Sequence, residues 1–174
     1  MRIDPLSSES ELYLSSKNER KGYPVFMPYA SFASMPCALG RPAALLGERW
    51  TLLLLRQVFL GTRRFEDFQT AMEISRSVLT DRLNVLLQEG VLKRVPYQED
   101  GRTRHEYRLT EKGRDLYPVL MALRTWGEKW MAPEEEESFH LHHRDCGGGV
   151  RAKVECTDCG AELTARDVQV TARQ

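Results

Sequence analysis

Neither sign of charge prevails in this chain. Its 174 residues carry 25 Lys and Arg against 25 Asp and Glu, a formal net charge of zero. Nucleic-acid binders are usually basic, so a DNA-facing surface here would have to come from arrangement rather than quantity. Between Arg56 and Arg108, ten Lys and Arg stand against eight Asp and Glu, an excess of only two. No apolar run is long enough to span a bilayer, and no signal peptide is visible at the N-terminus. A cytoplasmic protein without a membrane partner is therefore expected. The four cysteines are unevenly placed, which argues against a secreted disulfide scaffold. There is no Ser/His/Asp order, no phosphate-binding glycine loop and no carboxylate pair with a cleft to hold it, so no enzyme is expected. With 41% hydrophobic and 29% charged residues, the chain can bury one domain of ordinary size and carry extensions.

What is present centres on Ser75–Gly90. Ser75 suits a helix N-cap, because its hydroxyl can accept from a free N–H of the first turn. Gly90 suits a stop, because it tolerates the left-handed conformation. Leu79, Leu83, Leu86 and Leu87 form an apolar stripe at helical spacing. Ser75, Arg76, Ser77, Thr80, Asp81, Arg82 and Asn84 supply the polar remainder, with Arg76, Ser77, Thr80, Asp81 and Asn84 largely opposite the stripe. Short hydrogen-bonding side chains with a cation near the helix start can meet base edges in a major groove. On an isolated helix the same face would simply be solvated.

The flanking segments give that helix a context. Residues 1–34 sustain no period and read as a flexible or vector-derived tail, with Met27 and Met35 as alternative native starts. Ala38–Gly47 predicts a short helix with Leu39, Ala43 and Leu46 on one face and Pro42 in its first turn. Arg49–Leu60 is apolar all round and predicts a buried central helix. Arg63-Arg64-Phe65 opens a short helix to Met72, with Phe65, Phe68 and Met72 as the inward candidates, and Glu73-Ile74 connects it to Ser75. This is a helix-turn-helix pattern. Past Gly90, Val91–Tyr97 and Arg104–Leu109 alternate as paired strands around a turn at Gln98–Arg102, in which Asp100-Gly101 is a hairpin signal. Lys93, Arg94, Arg102, Arg104 and Arg108 cluster there, and Arg64 lies just ahead of the helix-turn-helix. A hairpin after a recognition helix is a wing, and its cations suit phosphate or the minor groove. Alternatively, they keep exposed strand edges soluble.

Thr110-Glu111-Lys112-Gly113 caps a long expected helix in which Leu116, Val119, Leu120, Leu123, Trp126 and Trp130 recur at helical spacing. A small winged helix has little surface to cover that stripe, whereas a second copy would. Leu116, Leu120, Leu123, Trp126 and Trp130 are therefore dimerisation candidates. Pro118 should kink this helix or mark a joint. The expected fold is mostly α with a small β-hairpin wing, a winged helix-turn-helix over residues 35–131.

At this point Cys37–Trp130 resembles the HxlR family of bacterial winged helix-turn-helix transcriptional regulators. The resemblance rests on Pro36-Cys37, Gly47–Arg56, Arg64–Phe68, Ile74–Leu83 and Tyr107–Gly113, in order and without a large gap. It implies a homodimer built through terminal helices, binding a pseudo-palindromic double-stranded operator and repressing or activating nearby genes. Repression is the expectation taken forward. Because members differ, the effector, a small molecule or an oxidant, does not carry over. Some members use a cysteine at the place of Cys37 as a redox or electrophile sensor, and in others it packs. A thiol at a helix N-terminus sees the positive dipole end, which favours thiolate.

From Ala132 the composition changes. Glu134–Glu137 forms an acidic linker, and His143-x2-Cys146 and Cys156-x2-Cys159 follow as two knuckle-like pairs. Three thiolates and one imidazole suit a structural tetrahedral zinc. His140 or His142 are alternatives to His143. A zinc-ribbon-like hairpin is expected over residues 132–174, with the glycines Gly147–Gly149 at its turn and Val150–Glu155 as a strand. Free cysteines on a flexible tail, or a Cys156–Cys159 disulfide, are the other readings. A metal- or thiol-dependent interaction module, docking protein rather than DNA, is the competing function class.

Overall fold

The computed structural model describes residues 37–131 and 140–171. The expected N-terminal tail and the acidic linker Glu134–Glu137 lie outside the described residues. Contacts divide the chain into two units, Met1–Leu45 and Leu46–Gln174. At the boundary, α1 runs Gly40–Leu46 and has Pro42 in its first turn, where a missing N–H costs nothing. Ala44 is its buried residue, not Ala43 on the face drawn from sequence, and Leu39 is exposed.

The second unit opens with α2, Thr51–Phe59. Sequence suggested burial all round, yet Thr51, Leu54, Leu55 and Val58 are buried while Leu53 is exposed. An unbroken leucine run hides the one-sided 3.6-residue period that burial obeys. α3 spans Phe65–Met72, with Phe68 fully buried. It ends at Glu73 in the left-handed region, Ile74 plugs the core, and α4 starts at Arg76 and runs to Gln88. Ser75 caps α4 by accepting from the Val78 N–H at 3.4 Å. Leu79, Leu83 and Leu86 are the buried face. Gly90, at φ 66°, closes α4 in a Schellman motif, with Val91 N–H on the Leu86 carbonyl and Gly90 N–H on that of Leu87.

The hairpin follows as β1, Leu92–Glu99, paired antiparallel with β2, Arg102–Leu109. The strands are longer than expected because the turn is only Asp100-Gly101, both at positive φ. A two-residue turn of this kind matches the strand twist and fixes Glu99 opposite Arg102. The Tyr107 N–H donates to the Arg63 carbonyl at 2.8 Å, tying the hairpin to the chain just before α3. The single long C-terminal helix expected after Thr110 is two pieces: α5, Glu111–Arg114, and α6, Tyr117–Trp130. Pro118 marks the joint, sitting in the first turn of α6. The core therefore lies among α2, α3, α4 and the hairpin base, and it leaves one side of α4 in solvent.

Candidate nucleic-acid interface

Ser75, Arg76, Ser77, Thr80 and Asp81 are all exposed along the first turns of α4. Several of these side chains are tied locally. Ser75 and Ser77 hydroxyls lie 3.3 Å apart, and the Thr80 hydroxyl donates to the Arg76 carbonyl at 2.8 Å. The Arg76 guanidinium rests over the Phe65 ring, 5.0 Å from its centroid, so α3 presents it rather than merely preceding it. Two further polar residues of α4 have side-chain partners on other elements or segments. Arg82 is half-buried and pairs with Glu48 at 3.1 Å, which fits a structural role for its charge. Asn84 accepts from Arg94 at 3.4 Å, so it couples α4 to the wing.

In the wing, Lys93, Arg94, Arg102 and Arg104 are exposed. Arg94 also lies over the Tyr107 ring, at 5.8 Å. Arg64 sits over Tyr97 at 4.7 Å and pairs with Glu99 at 2.8 Å, while Arg104 pairs with the other oxygen of Glu99 at 3.1 Å. Glu99 thus clamps two of the cations, a role the sequence reading missed. The signal was the Asp100-Gly101 turn: a two-residue loop places Glu99 in β1, on the same face as Arg102 and Arg104. Arg102 and Lys93 have no ion pair among the described residues. The result is a cationic edge made by placement in a chain of zero net charge.

The remaining candidates lie elsewhere. Cys37 is half-buried, and its sulfur accepts from the Gly40 N–H at 3.3 Å. The backbone N–H groups of Gly40 and Leu39 pull the thiol below its ordinary range, against a smaller effect of burial, and Arg41 adds to the pull. On α6, the expected apolar stripe divides. Leu116 and Leu120 are half-covered, on the side where Tyr117 meets Phe59 at 5.3 Å between rings. Val119, Leu123, Trp126 and Trp130 are exposed at 46%, 47%, 53% and 65%.

In the C-terminal segment, His143 Nδ1 and Cys146 Sγ lie 3.1 Å apart. Backbone N–H groups of Cys159 and Asp158 lower the Cys156 thiol below its ordinary range. All four cysteines are free. Among the described residues, no three His, Cys, Asp or Glu side chains are gathered for a metal. Val150–Glu155 forms no regular strand; the segment has only two isolated bridges, His142 to Gly149 and Glu155 to Glu162. Each bridge closes a short loop within itself, which leaves no long ladder for an alternating strand to join. Among the described residues, no helix is long and apolar enough to cross a membrane.

Comparison with known proteins matches this arrangement. The HxlR-like helix-turn-helix family model covers residues 45–135. An uncharacterized HTH-type transcriptional regulator of Mycobacterium tuberculosis is 44% identical over 131 residues, 75% of this chain and 82% of the relative. The HTH-type transcriptional regulator YodB of Bacillus subtilis is 32% identical over 91 residues, 52% of this chain and 80% of its own. Among solved structures, PA1607, described as a candidate transcription factor, superposes with a TM-score of 0.73 at 36% identity, covering 82% of this chain and 99% of that one. The redox regulator HypR in its reduced form gives 0.50 at 29% identity, covering 53% and 92%. The chain belongs to the HxlR-like helix-turn-helix family and, like its relatives, is a DNA-binding transcriptional regulator rather than an enzyme.

Proposed function

We propose that the protein acts in the cytoplasm as a homodimeric repressor, reading a pseudo-palindromic operator with two copies of α4. The observation that carries this is the exposed, polar N-terminal half of α4 beside a cationic hairpin. Helix-turn-helix proteins enter the major groove with the first residues of the second helix, and here those are Ser75, Arg76, Ser77 and Thr80. Asp81 borders this set, where its carboxylate can accept from a cytosine N4 amino group and disfavours the acceptor edge of guanine. Lys93, Arg94, Arg102 and Arg104 then meet phosphate or the adjacent minor groove, with Arg64 braced behind them. The second copy docks on the exposed face of α6. An oxidant effector acting at Cys37 fits the lowered thiol, and the redox regulator among the solved neighbours is in keeping with it. Residues 140–171 follow this DNA-reading fold in sequence as a C-terminal appendage whose cysteine spacing has a zinc-ribbon-like character.

The test is operator binding by the full chain over a salt series. Each phosphate neutralised contributes a slope of about −0.9 in log K against log salt. Four to five wing and brace cations per subunit predict a steep negative slope for the dimer. Binding that ignores salt would overturn the DNA reading and favour a protein partner.

A further inference from the structure

The two knuckle-like pairs of the appendage are a duplication in backbone geometry as well as in spacing. His143-Arg144-Asp145-Cys146-Gly147 and Cys156-Thr157-Asp158-Cys159-Gly160 stand thirteen residues apart. They share one backbone design. The N–H of His143 donates to the Gly148 carbonyl at 2.7 Å, and that of Cys156 to Ala161 at 2.9 Å. The N–H of Gly147 returns to His143 and that of Gly160 to Cys156, both at 2.9 Å. Gly147 and Gly160 both take positive φ, 71° and 70°. The bridges His142–Gly149 and Glu155–Glu162 close the two loops at matching positions. Such a loop turns its first and fourth side chains to one side, the arrangement in which Cys-x2-Cys pairs hold zinc.

We propose that His143, Cys146, Cys156 and Cys159 together hold one tetrahedral zinc ion, with His143 binding through Nδ1. The first pair already converges: Nδ1 and Sγ are in hydrogen-bond contact at 3.1 Å, and a small opening brings them to the N–S edge of a zinc tetrahedron, about 3.5 Å. The other imidazole nitrogen, Nε2, faces Asp145 at 3.6 Å. Zinc-bound histidines commonly donate their second N–H to a carboxylate, which fixes the ring and its tautomer. The duplication also chooses among the histidines. His142 is the counterpart of Glu155, a bridge residue, whereas His143 is the counterpart of Cys156. The ion brings the two pairs onto one centre, and four protein ligands leave it no open position for catalysis. Soft thiolates with one imidazole select zinc over magnesium or calcium. Nothing in this site depends on the DNA-reading face; it gives the appendage its chemistry.

The full chain, purified under reducing conditions without chelator, should carry one zinc per chain by elemental analysis. Cobalt should replace it with the intense visible bands of a tetrahedral thiolate site. In competition with a chromogenic chelator, His143→Ala should weaken binding by about tenfold or more, and Asp145→Asn by about tenfold. His142→Ala should stay within about twofold, which keeps the ligand choice testable even if cysteine variants lose the fold of the tail. EDTA should open residues 140–165 to protease while the winged helix stays intact. Metal-free protein, or a Cys156–Cys159 disulfide persisting under reduction, would overturn both the site and the zinc-ribbon character of the appendage. One zinc lost with His142→Ala but kept with His143→Ala, or two zincs per chain, would overturn this site alone.

Discussion

At single positions, steric exclusion and local fields decide more than composition does. Gly113 is buried at the foot of the wing, and a Cβ there would overlap the Val91 carbonyl oxygen and stand 2.9 Å from Leu109 Cδ2. Thr110 explains why the chain comes so close: it caps α5 on the Gly113 N–H at 3.1 Å and donates back to the Gly90 carbonyl at 2.6 Å. Gly113→Ala should therefore cost about 3 kcal/mol, at the upper end for overpacking, because the obstructing atom is backbone. A thermal scan should show a fall of about 10 °C or more; a melting point within about 2 °C of the parent would mean the Val91 carbonyl yields easily. Cys37 shows the field effect. Its lowered pKa means that the thiolate forms at lower pH than in an ordinary cysteine, so it holds an advantage below the ordinary thiol range that vanishes once both are ionised. With Cys146, Cys156 and Cys159 replaced by Ser, Cys37 should be alkylated faster at pH 7 in the folded protein than in urea, with its rate–pH midpoint displaced downward. Equal rates in the two states would remove the support for sensing.

Elements were largely legible where one period dominated. The Ser75 cap, the Leu79–Leu83–Leu86 stripe and the Gly90 stop follow from local rules, and α4 forms between them. α2 looks buried all round in the sequence because leucine fills both its faces, although its burial is one-sided. The wing's full length is not legible in the sequence, because polar residues on both sides of Asp100-Gly101 resemble turn residues although they pair as strand, and the Glu99 clamp depends on that pairing. Long-range pairs such as Arg82–Glu48 leave no local pattern at all. They matter to how α4 reads DNA, since they remove Arg82 from the exposed set and leave Arg76 as its leading cation. Arg76→Ala should weaken operator binding by about 1–3 kcal/mol and relax preference at one base pair per half-site. Arg102→Ala, on the wing, should instead weaken all duplexes similarly and make the salt slope shallower by about one unit per subunit. Competition titrations against operator and scrambled duplex separate the two outcomes. An unchanged operator affinity for Arg76→Ala would displace the groove-facing surface from the start of α4.

For the whole molecule, the question is what covers α6. No residue of that helix is buried, yet it carries Val119, Leu123, Trp126 and Trp130 on one exposed line, with Met131 just beyond. Single exposed apolar side chains are ordinary, but two tryptophans aligned with leucine and valine form a contiguous patch of the kind that marks an interface. An isologous contact would put the same line of the partner against it and bring two α4 helices to one side of a duplex. The sequence presented the stripe as one surface, and the structure divides its labour. Leu116 and Leu120 are half-covered, near where Tyr117 meets Phe59, so a charge at Leu120 would disturb the subunit as well as its assembly. Leu123→Glu with Trp126→Glu is the cleaner test. Both residues are about half-exposed within the subunit, so the monomer should keep its helical circular dichroism and melt near the parent's own monomer. Across the dimer, the change sets like charges against each other in an apolar contact. Sedimentation at micromolar concentration should show dimer for the parent and monomer for the double variant. Operator affinity should fall by about two orders of magnitude or more, since each half-site then binds without the effective concentration supplied by its neighbour. A parent that sediments as a monomer, or a double variant that remains dimeric and binds operator normally, would place the subunit contact elsewhere.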